Sequence, residues 1–285
     1  MEQYDILIIG GGAAGIAAAK AAKGAKVLLA DRKPKLGGVL LQCTHRGFGK
    51  NKSGIEYTAD LTEDFPETVT LALHTTVISV SEKKKALLSG REFGRREIGF
   101  SQLILAAGCR EIPIGALPIG GTRPKGIYTA GQMQERMNLH GFIPESPAVI
   151  LGGGDLGLIM AKQLAEAGLA VTVVERKQSC GGMARNQRCL QEFPINLICD
   201  DTISEVRGHP QITGCITAKG VELPCKTLLI AAGLRPEREL TAHLGNPDWL
   251  HICGNCNRVH PMVEAVVQEG KQAGIAAMEN LRGAL

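Results

Sequence analysis

Aromatic side chains are scarce, at 4% of 285 residues with a single Trp. The core must therefore be mainly aliphatic. No apolar run approaches the roughly 18 residues that a membrane span needs. Charge of one sign is also in short supply. The formal net charge is +4, too weak to imply a nucleic-acid partner. Lys83-Lys84-Lys85 and Arg91/Arg95/Arg96 read as a solvated hairpin rather than a docking patch. The chain enters a strand by Ile6, so no signal peptide fits. Nine scattered cysteines, an odd number, suit a reducing compartment, and a cytoplasmic location is expected.

Glycine, by contrast, is abundant: 36 of 285, against an average of roughly 7%. The excess sits in turns that occur twice. Ile6-Leu7-Ile8-Ile9 runs into Gly10-Gly11-Gly12-Ala13-Ala14-Gly15, then an Ala-rich helix, then Val27-Leu28-Leu29-Ala30 ending in Asp31. Ala148-Val149-Ile150-Leu151 runs into Gly152-Gly153-Gly154-Asp155-Leu156-Gly157, then a helix, then Val171-Thr172-Val173-Val174 ending in Glu175. In each copy the first glycine makes the tight turn out of the strand. The second lets backbone approach a pyrophosphate, and the third lets helix and strand pack closely. The helix N-terminus offers free N–H groups and a partial positive charge to phosphates. Asp31 and Glu175 follow at the spacing expected for a ribose contact.

A second repeat supports the first. Leu103-Ile104-Leu105-Ala106-Ala107-Gly108-Cys109-Arg110 resembles Leu228-Leu229-Ile230-Ala231-Ala232-Gly233-Leu234-Arg235. Each is an apolar strand followed by a small-residue turn, where backbone can pass close to a nucleotide. The length allows two modest domains. The expected fold is α/β, with two Rossmann-like three-layer (ββα) dinucleotide-binding domains. The second, 114–243, is inserted into the first, 1–113 and 244–285. Thr68–Val80 and Lys85–Phe100 read as strands of a small antiparallel layer. His251–Asn255 reads as a strand and turn, and Val263 to about Leu281 as a helix.

The whole chain resembles the pyridine nucleotide–disulfide oxidoreductase superfamily, whose members place FAD on the first unit and NAD(P)H on the inserted second. The resemblance assigns to FAD Gly10, Gly12, Ala13, Ala14, Gly15, Asp31, Arg32, Gly38, Val39, Gln42, Val77, Ala107, Gly108, Gly254, Asn255 and Met262. It assigns to NAD Gly152, Gly154, Asp155, Leu156, Gly157, Glu175, Arg176 and Gly233. Asn255 stands where the family's third FAD segment carries Asp, and an amide can still hydrogen-bond a ribityl hydroxyl. Glu175 favours NAD(H) by repelling a 2′-phosphate, while Arg176-Lys177 leave NADP(H) open. Leu36-Gly37-Gly38-Val39-Leu40-Leu41-Gln42-Cys43-Thr44-His45-Arg46-Gly47-Phe48-Gly49 further resembles bacterial flavoproteins that accompany anaerobic glycerol-3-phosphate dehydrogenase-like subunits. More distantly, the chain is similar to flavin subunits of amine, sarcosine and opine oxidases.

Neither active disulfide of the superfamily is present in the sequence. Cys43 stands alone where one class has Cys-x4-Cys, and Tyr128–Pro147 has no cysteine where another has Cys-x-x-Cys. Cys253-x-x-Cys256 is a lone pair, read mainly as packing, and no metal site is expected. Cys43 and His45 are candidates for a thiolate or a proton relay beside the flavin. His260 is a candidate to stabilise reduced flavin or to cap the last helix. The expected function is an FAD-dependent oxidoreductase. Hydride or electrons pass between NAD(H) and flavin, then to or from a dehydrogenase or iron–sulfur partner subunit or a small molecule. The alternative is a non-catalytic or electron-transfer FAD-binding subunit of a dehydrogenase complex.

Overall fold

The computed structural model describes residues 1–283, which fall into two compact units: Met1–Arg110 with Arg235 onward, and Glu111–Leu234. The first unit is built on a seven-stranded sheet. Strands β1 (Glu2–Ile9), β2 (Val27–Ala30), β3 (Val69–Ala72), β4 (Thr75–Ser81), β5 (Lys85–Gly90) and β6 (Gly94–Leu105) take the order β3-β2-β1-β6-β5-β4. Leu250–Ile252 pairs parallel to the end of β6. The β3-β2-β1-β6 part is parallel, while β6-β5-β4 is an antiparallel meander.

Alternation along β1 divides the core into layers, because successive side chains face opposite sides of a sheet. Ile6 and Ile8 face Ala14, Ala18, Ala273 and Ala277 from helices. Leu7 and Ile9 face the other way, toward Val80, Ala86 and Leu88 of the meander. The helical layer holds α1 (Ala13–Ala21) and a C-terminal helix, Val263–Gly283. A Cβ at Gly270 would strike Ala14 O, and one at Gly274 would strike Ala18 O, so the two helices touch backbone to backbone.

The second unit repeats the plan. Strands β7 (Ala148–Leu151), β8 (Val171–Glu175), β9 (Ile195–Cys199) and β10 (Thr227–Ile230) form a parallel sheet with Ile127–Thr129, and α2 (Asp155–Glu166) follows β7. Ile150 and Val173 face helical residues such as Met160 and Leu164. Val149, Leu151 and Val174 face Ile203, Val206 and Cys215 of a small antiparallel layer. Both units are thus three-layer ββα Rossmann-like folds.

Two details differ from the sequence reading. Residues 235–243, expected with the second unit, fall in the first, and residues 111–113, expected with the first, fall in the second. Leu240 lies against the Tyr4/Leu88/Phe100 cluster, and His243 Nε2 sits 2.9 Å from Val80 O. The stretches 68–80 and 85–100 each contain a break, at His74 (φ 49°) and Gly94 (φ 70°). Their backbones turn there, so β3 joins the parallel sheet, and β6 runs unbroken from the meander into the sheet centre.

Candidate functional site

The two glycine-rich turns are close structural copies. Gly10 (φ 108°) and Gly152 (φ 113°) adopt a conformation that disfavours any side chain, and a Cβ on either would strike the carbonyl of Ala106 or Ala231. A Cβ on Gly15 or Gly157 would strike the carbonyl of Gly10 or Gly152. Gly12 and Gly154 differ from these, since a Cβ there meets nothing within 4 Å. Both are N-caps without a side-chain cap bond. The second glycine of each turn, at the start of its helix, therefore borders open space in each copy. Such a cradle fits a phosphate.

The acid at each strand end is fixed twice. Asp31 Oδ2 accepts from Gly11 N (2.5 Å) and Oδ1 from Lys33 N (2.7 Å). Glu175 Oε2 accepts from Gly153 N (2.6 Å) and Oε1 from Lys177 N (2.8 Å). Each oxygen keeps a lone pair for a ribose hydroxyl. Arg32 and Arg176, next in sequence, are exposed.

The structure extends the repeat to a pair of glycines that the sequence reading missed. Gly37 N donates to Gly11 O (2.7 Å), and Gly181 N donates to Gly153 O (3.1 Å). Leu36-Gly37-Gly38 and Cys180-Gly181-Gly182 follow Asp31 and Glu175 at the same spacing. Beyond them the copies diverge. Gly38 comes close to Gly12, whereas Gly182 packs on Asp155 and Leu158. Asp155 Oδ1 accepts from Met183 N (2.7 Å) and Asn186 Nδ2 (2.6 Å), which ties the following loop to α2.

The remaining candidates in the first unit lie on its loops. Gly38–Gln42 is a short 3-10 turn on which Val39 stands 62% exposed. Ala107 and Gly108 follow β6, and Gly108 (φ 79°) borders open space. Val77 lies on β4, part-buried against the meander core. In the second unit, Gly233 (φ 124°) occupies the turn after β10.

Cys43 is buried, and its Sγ donates to Val39 O (3.3 Å). Burial pushes this thiol up to about 12, so it stays protonated near neutral pH. Desolvation penalises the charged form, so the burial of this thiol disfavours the expected thiolate. The ring of His45 lies 5.2 Å from that of Phe48.

The segment before the C-terminal helix forms a closed turn. Gly254 (φ 69°) faces Ala14 of α1. Asn255 Oδ1 accepts from His260 N (3.0 Å). The His260 side chain is only 6% exposed, and its Nε2 lies 2.8 Å from Glu269 Oε1, off the line of a well-formed hydrogen bond. His260, a candidate to stabilise reduced flavin or to cap the last helix, has its side chain buried beside the Glu269 carboxylate. Glu269, which the sequence reading did not single out, also accepts from Gly254 N (2.9 Å) and Asn257 Nδ2 (3.4 Å) through Oε2. Met262 is part-exposed just ahead of the helix. Cys253 and Cys256 are buried thiols whose Sγ atoms lie 3.8 and 3.0 Å from Leu105 O, and burial raises both. Among the described residues no group of three or more His, Cys, Asp or Glu is gathered to hold a metal. No helix among them is long and apolar enough to cross a membrane.

Two glycine-rich turns, each followed by one carboxylate held by backbone N–H groups, are thus present in the chain. The sequence profile of the pyridine nucleotide-disulphide oxidoreductases matches residues 4–247. The chain belongs to that family. It is 28% identical over 277 residues to one of the subunits of the Agrobacterium tumefaciens opine oxidase, covering 85% of this chain and 54% of that one. It is 29% identical over 197 residues to hydrogen cyanide synthase subunit HcnB of Pseudomonas protegens, covering 66% and 41%. The chain thus spans about half the length of these relatives. Lactococcus lactis thioredoxin reductase shares the fold, with a TM-score of 0.81 at 20% identity, over 98% of this chain and 99% of that one.

Proposed function

We propose that the chain is an FAD-dependent oxidoreductase that exchanges electrons between NAD(H) and flavin, then with a partner subunit or small molecule. The observation that carries this reading is the pair of turns, each with an open second glycine and a doubly held acid. The first turn would hold the FAD pyrophosphate through backbone N–H groups at Gly12–Ala14, and Asp31 would hold the adenosine ribose. The third segment, Gly254–Met262, would hold the ribityl chain and flavin. The second turn would hold NAD(H), with Glu175 on the adenosine ribose and against a 2′-phosphate. Flavin, when bound, supplies the acceptor for a hydride.

A disulfide does not carry the electrons onward in this reading. Cys43 is a buried, neutral thiol without the second cysteine of a Cys-x4-Cys pattern, and the segment 128–147 has no cysteine. The onward step is therefore assigned to a partner. Relatives whose names mark them as subunits of opine oxidase and hydrogen cyanide synthase support a partner subunit, which this reading takes to be a dehydrogenase or iron–sulfur protein. The resemblance to flavoproteins beside glycerol-3-phosphate dehydrogenase-like subunits points the same way.

The test is the visible spectrum of the purified protein, titrated with NADH and NADPH without oxygen. The proposal expects a flavin spectrum that NADH bleaches faster than NADPH. A flavin that neither nucleotide bleaches favours the second reading, an electron-transfer FAD subunit, for which Asn255 in place of the family's Asp is the supporting observation. A colourless protein that takes up no FAD overturns both.

A further inference from the structure

Building on that reading, we infer that Glu269 is a positioning residue for the flavin-holding turn, anchoring from the C-terminal helix a turn in which a neutral amide occupies position 255. A left-handed residue such as Gly254 (φ 69°) directs its N–H away from the ordinary backbone ladder, and a part-buried N–H needs an acceptor. Glu269 Oε2 supplies it at 2.9 Å. The same oxygen reaches Asn257 Nδ2 at 3.4 Å, and Oε1 lies 2.8 Å from His260 Nε2. One carboxylate thus gathers three points of a seven-position turn, Gly254, Asn257 and His260, onto the second turn of a helix.

The side chain at 255 is meanwhile engaged within the turn. Asn255 Oδ1 takes the His260 N–H at 3.0 Å, which closes the loop a second time and leaves the amide Nδ2 as its donor. His260 Nε2 lies 2.8 Å from the Glu269 carboxylate, which keeps the ring beside the helix. The imidazole is thereby locked inward, and it acts through the turn it supports rather than on the cofactor. Negative charge then lies behind the turn, on Glu269, and a neutral amide occupies position 255.

The experiment compares wild type with Glu269→Gln, Glu269→Ala and the pair Glu269→Ala/His260→Ala. Each is freed of flavin and titrated with FAD, and the midpoint potential of the bound flavin is recorded. Loss of charge-assisted contacts should weaken FAD binding by about tenfold to a hundredfold in Glu269→Ala. Glu269→Gln should weaken it less and make the potential less negative, since a negative charge behind the turn is gone. Adding His260→Ala to Glu269→Ala should cost little more, because both act on the same turn. Thermal unfolding of each variant separates loss of fold from loss of the turn, and the near-isosteric Glu269→Gln serves if Glu269→Ala does not fold. If variants of native stability keep wild-type affinity and potential while wild-type flavin is bleached by NADH, this inference falls and the functional reading stands. A wild type that takes up no flavin overturns both.

Discussion

Asp31 Oδ2 accepts the Gly11 N–H at 2.5 Å. The carboxylate that would meet a ribose is also the clamp that shapes the phosphate turn. Glu175 and Gly153 stand in the same relation at 2.6 Å in the second unit. Mutations at these acids therefore act on turn geometry as well as on the nucleotide.

Replacing Glu175 by Gln keeps an acceptor for one backbone N–H and removes the charge. The preference for NADH over NADPH, measured as the ratio of kcat/KM values for flavin reduction, should narrow by about tenfold. An unchanged ratio would place the adenosine ribose elsewhere.

Glycine substitutions separate packing from ligand space. Gly12→Ala and Gly154→Ala add a methyl where nothing stands within 4 Å, so stability should change by less than about 1 kcal/mol. FAD affinity for the first, and the KM for NADH for the second, should suffer by about tenfold or more. Gly15→Ala drives a methyl into Gly10 O and should destabilise by about 2 kcal/mol or more. Calorimetry beside FAD titration reads both effects.

Cys43 offers a pH test. Its thiol rises from an ordinary 9.0 to about 12 in the folded chain, so between those values the folded state binds more protons than the unfolded one. The stability it contributes is full below about pH 9 and is lost as pH climbs toward 12. Cys43→Ala should flatten part of the fall in unfolding temperature above pH 9. It should leave NADH-driven flavin bleaching within about twofold of wild type at pH 7. A large loss of bleaching in a folded Cys43→Ala would restore a chemical role for the thiol.

The contact between α1 and the C-terminal helix tolerates no bulk. Gly274→Val would press a branched side chain onto Ala18 O, and a cost of about 3 kcal/mol is expected. Because α1 starts at the first phosphate turn, FAD retention through gel filtration should fall with it. A variant that keeps both its melting temperature and its flavin would contradict the close packing.

The turns, the strands that feed them and the acids that follow were legible because their spacing is set by local geometry. A left-handed glycine and a helix start cannot move apart in sequence. The 235–243 segment was misplaced because Leu240 and His243 find their partners, near Leu88 and Val80, far away along the chain. The contacts of Glu269 were not legible for the same reason: one acid on a helix looks like a solvated face until Gly254 and His260 are brought beside it. The spacing of Cys43 from His45 suggested reactivity, and the burial of the thiol, which disfavours a thiolate, was not legible in the sequence. The glycine pair at 181–182 could have been found by aligning the two halves past their acids.

The doubly tied carboxylates have a kinetic consequence. Asp31 and Glu175 already hold one rotamer each before any nucleotide arrives, since both oxygens of both groups are engaged by their own turns. The rotational freedom of those side chains is lost when the chain folds. A dinucleotide therefore meets a mould already set, and its capture should be governed by diffusion and desolvation rather than by rearrangement of the turn.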